Sequence, residues 1–128
     1  MKEFQDMFED LFIFEDAMDK YEFIMDYGNC ASSIQKYDYT QNDLVQGCTS
    51  NLWIKLVNDK FICQADSAIV KGLGGMICDW YNQASVQQRS EFSLTTLENI
   101  GLAPILSMGR QNGVTNLIQR IKVLESIK

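Results

Sequence analysis

A chain of 128 residues with 46% hydrophobic side chains is long enough to bury about two-thirds of its unfolded surface, so a single domain over residues 1–128 that folds without staples is expected. Its 17 acidic against 11 basic residues leave a net charge of −6, without the basic stripe that phosphate-backbone binding needs, which excludes nucleic acid as a partner. Histidine is absent, so the cysteines lack both the common zinc co-ligand and the usual base of a cysteine hydrolase.

Acidic residues concentrate at the start. Residues 1–27 hold nine of them (Glu3, Asp6, Glu9, Asp10, Glu15, Asp16, Asp19, Glu22, Asp26) against Lys2 and Lys20. Two readings stand: a solvated helix face that keeps the protein soluble, or a surface for a basic protein partner. Within this segment Phe4, Met7, Phe8, Leu11 and Phe12, then Met18, Tyr21, Ile24 and Met25, recur at three and four residues. That spacing predicts one bent helix or two short ones over 3–27, with Gly28-Asn29 as the stop. The start of the chain is acidic and no apolar stretch approaches the length of a signal core or membrane span, so no membrane association is expected. Residues 29–47 carry no period and read as an irregular surface segment.

After residue 48 the period falls to two. Leu52, Ile54 and Leu56 alternate with Trp53, Lys55 and Val57, Asn58-Asp59 interrupts, and Lys60-Phe61-Ile62-Cys63 resumes. This is a β-hairpin with a two-residue turn suited to positive φ. Asp66 or Ser67 is placed to cap a helix whose apolar face is Ile69, Leu73, Met76 and Trp80. Gly72, Gly74 and Gly75 each cost about 1 kcal/mol relative to alanine inside a helix, which calls for compensation by close approach to the sheet, or for a kink. Short helices follow around 85–89 and 95–100, the second ended by Gly101. A last helix begins near Ser107, with Val114, Leu117, Ile118, Ile121 and Leu124 on its core face. The fold class is therefore α+β: a small antiparallel sheet of about three strands packed against several helices.

Cys48 stands apart from the other thiols. It sits where turn formers (Asn42, Asp43, Gly47) meet the alternating run, flanked by Thr49 and Ser50, which is where a loop presents a side chain. A buried, inert thiol is the alternative reading. Cys63 shares a strand face with Phe61 and Cys78 lies in an apolar helix; these two and Cys30 are expected to fill the core. All four cysteines are expected to be reduced, which suits a cytoplasmic location. Trp53 reads as a core or cavity residue.

Asn42, Val45, Gly47, Cys48, Ser50 and Trp53 resemble the signature around the sulfur-accepting cysteine of SufE proteins, with CsdE proteins as close relatives. The resemblance extends to Asp19-Lys20-Tyr21-Glu22-Phe23-Ile24, to Asp66-Ser67-Ala68-Ile69-Val70-Lys71-Gly72-Leu73, and to Leu106-Ser107-Met108-Gly109-Arg110-Gln111-Asn112-Gly113. It implies a SufE/IscU-like fold and a persulfide acceptor that stimulates a pyridoxal-phosphate-dependent cysteine desulfurase of the SufS/CsdA type. Sulfur would pass from Cys48 to a SufBCD-type cluster scaffold. It implies Cys48 as nucleophile, Arg110 as electrostatic support, and Asn42, Gly47, Ser50, Asp66 and Lys71 as residues that shape or brace the site. No cofactor or metal of its own is implied, since pyridoxal phosphate belongs to the desulfurase. The protein is expected to turn nothing over alone and to be a monomer or weak homodimer. An IscU-like cluster scaffold, or service to another sulfur-transfer pathway, is the alternative.

Overall fold

The computed structural model describes residues 2–46, 50–106 and 108–127. Three helices open the chain: α1 (Phe4–Met7), α2 (Asp10–Ile13) and α3 (Ala17–Cys30). The helical period is right, since Phe4, Phe8 and Leu11 are all buried, but the helix is broken twice. One break follows Met7; the other lies at Phe14–Asp16, where the Asp16 carboxylate accepts from the Met18 amide at 2.9 Å and starts α3 afresh. All nine acidic side chains of this region are exposed.

Gly28 does not end the helix. It is buried inside α3, which runs on to Cys30, and it faces Gly72 of α4 (Ala68–Gln83). A Cβ on Gly72 would lie 2.0 Å from the Ile24 carbonyl oxygen, and one on Gly28 would lie 2.8 Å from the Gly72 nitrogen. The two helices thus meet backbone to backbone. Gly75 serves the same contact, 2.9 Å from the Ala31 side chain by the same construction. The compensation expected from the sheet therefore comes chiefly from α3. Only Gly74 faces the sheet, at an ordinary 3.4 Å from Leu52.

Strands β1 (Leu52–Val57) and β2 (Lys60–Ala65) form the expected antiparallel hairpin, in register from Leu52↔Ala65 to Val57↔Lys60. Asn58 (φ 52°) and Asp59 (φ 65°) both adopt the left-handed conformation that a tight primed turn needs. Leu52, Ile54, Phe61 and Cys63 are buried and point to the α4 side. Asn82, near the end of α4, both donates to and accepts from the Phe61 backbone (3.0 and 2.7 Å), tying helix to strand.

Among the described residues the sheet has two strands, where about three were expected. Each edge gains one bridge, Ile34 beside Cys63 and Leu44 beside Trp53. The flanking segments do not extend because their polar groups are committed elsewhere. On the Ile34 side, the Asp79 carboxylate accepts from the Ser33 amide (2.9 Å), the Ser32 hydroxyl (3.3 Å) and the Tyr27 hydroxyl (2.7 Å), while Ser33 Oγ donates to the Gly75 carbonyl at 3.2 Å. Burial and the Asp79 carboxylate keep Tyr27 un-ionised far above the ordinary tyrosine range.

The short helices α5 (Val86–Glu91) and α6 (Leu94–Asn99) each start with a capping box, Ser85 with Gln88 and Ser93 with Thr96. Gly101 (φ 85°) follows α6 as expected, and its carbonyl accepts from Lys20 Nζ at 2.9 Å. The last helix, α7 (Met108–Ser126), buries Val114, Leu117, Ile118 and Ile121.

The α3–α4 contact gives a paired prediction. Gly72→Ala overpacks a backbone contact and should cost about 3 kcal/mol or prevent folding, whereas Gly74→Ala should be neutral or gain up to about 1 kcal/mol from helix propensity. Thermal melting of the two variants beside wild type checks the opposite signs.

Candidate functional site

Two anchored limbs flank residues 47–49 in the chain. The entering limb begins at Thr40, whose amide and hydroxyl donate to the Asp43 carboxylate (2.8 and 3.3 Å) around a 3₁₀ turn at Gln41–Asp43. Lys55 of β1 pairs with the same carboxylate at 3.4 Å. Beyond the turn, Leu44 bridges to Trp53 and the buried Val45 donates its amide to the Leu52 carbonyl at 2.8 Å. From the other side α7 takes hold of the limb. Arg120 donates to the carbonyls of Asn42 (2.7 Å) and Leu44 (3.0 Å), and Asn116 donates to that of Gln46 (2.6 Å).

The leaving limb is held by Asp66. Its carboxylate accepts from the Asn51 amide at 3.0 Å and its own amide donates to the Asn51 carbonyl at 3.2 Å. Asp66 therefore braces the start of β1 and does not cap α4; Ser67 stands at the N-cap without a side-chain bond. Ser50 Oγ is buried and has no hydrogen-bond partner among the described residues.

Cys48, the expected nucleophile, and Gly47, the turn former expected to shape its surroundings, lie outside the described residues. The remaining expected residues fall into three places. Asn42 and Ser50 stand on the two limbs and Asp66 braces the second. Lys71 is half-buried in the first turn of α4, its amide bonded to the Ser67 carbonyl at 2.8 Å. Arg110 lies in the first turn of α7, where Nη1 donates to the Tyr21 hydroxyl and to the Ile105 carbonyl, both at 2.8 Å. Its guanidinium also covers the Tyr21 ring at 5.4 Å. At 1.5 Å rise per residue Arg110 is about 9 Å along the helix from Asn116, so one helix carries both the arginine and the grip on the entering limb. The sequence reading missed Asn116, Arg120 and Tyr21.

The other thiols divide differently from expectation. Cys63 and Cys78 are fully buried. A hydrogen bond to Cys63, then burial, pushes Cys78 well above the usual thiol range, so it stays protonated. Cys30 is not core filler: at the end of α3 it is exposed, with Sγ 3.5 Å from the Asp26 carbonyl. Trp53 is no core residue either. It is half-buried on the outer face of the hairpin, its ring 6.5 Å from that of Tyr39, which in turn lies 6.2 Å from Tyr37.

The family model described as "SufE: Fe-S metabolism associated domain" matches residues 5–124. This chain belongs to the SufE family. Among curated proteins it is similar to "SufE-like protein 1, chloroplastic/mitochondrial" of Arabidopsis thaliana, 26% identical over 105 residues, covering 78% of this chain and 28% of that protein. It is also similar to an uncharacterized SufE-like protein of Rhizobium etli, 22% identical over 131 residues, covering 95% of this chain and 88% of the relative. The chain thus spans little more than a quarter of the plant SufE relative but most of the bacterial one. No helix among the described residues is long and apolar enough to cross a membrane.

The Asp66 brace can be tested by itself. Asp66→Ala should lower stability by about 1 kcal/mol and speed hydrogen exchange at the Asn51 amide, while Asp66→Asn, which keeps an acceptor oxygen, should retain most of the protection. Amide exchange followed by NMR reads both.

Proposed function

We propose that this SufE-family protein is a persulfide acceptor and carrier, with Cys48 as the sulfur-bearing residue. The observation that carries the reading is the family match over residues 5–124 joined to the position of Cys48 between two limbs that are each pinned to the fold. A thiol that must meet a second protein's active site needs both a reachable position and a fixed base, and loops on rigid scaffolds supply that combination.

The proposed step is a displacement at sulfur. Cys48 loses its proton to solvent, and the thiolate attacks the terminal sulfur of a persulfide on a cysteine desulfurase. One S–S bond forms, the desulfurase S–S bond breaks, and the electron pair leaves with the desulfurase thiolate, so no external oxidant or reductant enters. The product is a persulfide on Cys48. Arg110 supplies positive charge that favours thiolate and persulfide anions, and Tyr21 holds that guanidinium in place through its hydroxyl and ring face. The Ser50 hydroxyl, which has no partner among the described residues, is a donor close in sequence to the sulfur. Asn42, Gly47, Asp66 and Lys71 shape the surroundings.

In this reading the protein catalyses nothing alone. It stimulates a pyridoxal-phosphate-dependent desulfurase of the SufS/CsdA type and delivers sulfur to a SufBCD-type scaffold in the cytoplasm, acting as a monomer or weak homodimer. The exposed, unpaired Cys30 suits a reducing compartment.

The test is mass spectrometry of intact protein and peptides after incubation with such a desulfurase and cysteine. Wild type should gain one sulfur on the Cys48 peptide and accelerate the desulfurase, and Cys48→Ser should do neither. Sulfur appearing on Cys30 instead, or unchanged turnover with wild type, overturns the reading.

A further inference from the structure

The entering limb is held in an unusual way. Three of its carbonyls, that of Asn42 within the 3₁₀ turn and those of Leu44 and Gln46 beyond it, are taken by side chains of one helix. The Arg120 fork spans the first two at 2.7 and 3.0 Å, and Asn116, one helical turn earlier, takes the third at 2.6 Å. From the β1 side Val45 donates to Leu52. The limb is thereby fixed from both sides up to Gln46, the last described residue before Cys48.

We infer that Asn116 and Arg120 are positioning residues for the sulfur-accepting cysteine, acting by fixing the 42–46 limb from which Cys48 is hung. The inference rests on the acceptor reading above. Consecutive Cα atoms are 3.8 Å apart, so the Cα of Cys48 lies within about 7.6 Å of that of Gln46 whatever the path between. Motion of Gln46 therefore moves the point to which the Cys48 segment is attached, and a misplacement of about 1 Å in an attacking group is enough to cost up to about a hundredfold in rate. Neither Asn116 nor Arg120 touches sulfur in this scheme. Asp66 fixes the far limb in the same sense, through Asn51.

Asn116→Ala, Arg120→Ala and Arg120→Lys separate this from a purely structural or docking role. With a PLP-dependent desulfurase and cysteine, the two alanine variants should lower the maximal rate of persulfide formation on Cys48 by about tenfold while the half-saturating carrier concentration changes less than twofold. Arg120→Lys, which offers no planar fork to two carbonyls, should fall between. Hydrogen exchange over residues 42–46 should quicken in each, while Cys63 and Cys78 stay protected from alkylation, which shows that loosening is local. If Arg120→Ala does not fold, Asn116→Ala, which removes a single bond, carries the test. A raised half-saturating concentration at unchanged maximal rate would make α7 a docking surface and overturn the inference; so would unchanged transfer in folded variants. Wild type that takes no sulfur on Cys48 would sink the acceptor reading and this inference with it, whereas sulfur on wild type and undiminished transfer in the variants would sink the inference alone.

Discussion

The backbone contact between α3 and α4 is the constraint from which the other placements follow. Because Gly28 and Gly72 allow the two helices to touch without intervening side chains, α4 is held close to α3 on one side and offers its remaining apolar side chains to the hairpin on the other. Buried Leu73, Met76, Ile77 and Trp80 then share a core with Leu52, Ile54 and Phe61. The three glycines of α4 forfeit about 1 kcal/mol each in propensity, and close packing, on α3 at Gly72 and Gly75 and on the hairpin at Gly74, offsets that. The hairpin so fixed gives β1 a defined position, and both limbs of the site are attached to β1: Val45 to Leu52, and Asp66 to Asn51.

Polar groups around the site serve chiefly to hold backbone. Arg120 and Asn116 satisfy carbonyls, Asp66 an amide, and Asp43 both the Thr40 amide and the Lys55 ammonium. Exposed ion pairs contribute little to stability, but groups that determine where backbone runs contribute to function through geometry. Arg110 differs from these. Its guanidinium lies against neutral partners, the Tyr21 ring and hydroxyl and the Ile105 carbonyl, so its positive charge is not cancelled by a carboxylate among the described residues and is available to an anion.

Local signals account for what the sequence disclosed. The change from a period of 3.6 to 2 marked the hairpin, Asn58-Asp59 marked its turn, and the apolar stripes marked α4 and α7. What it hid was long-range. Gly28 carries the common mark of a helix end, and only its encounter with Gly72, 44 positions away in this sequence, shows it to be a contact point. Cys30 has nothing local that separates an exposed thiol from a buried one. Asn116 and Arg120 read as solvated positions on an amphipathic helix; their spacing of four places them on one face, but that face acquires meaning only once residues 42–46 are seen to lie along it. Among the described residues a third strand is reduced to single bridges at Ile34 and Leu44, beside which side chains from distant helices, Asp79 and Arg120, take the polar groups of the backbone.

The most direct measurement is a structure of this protein bound to a persulfide-loaded, PLP-dependent cysteine desulfurase. The sulfur of Cys48 is expected in contact with the terminal persulfide sulfur, in line with the S–S bond, with the Gln46 carbonyl still on Asn116. Cys48 remote from the desulfurase cysteine, with another surface of this chain filling that active site, would contradict the carrier role.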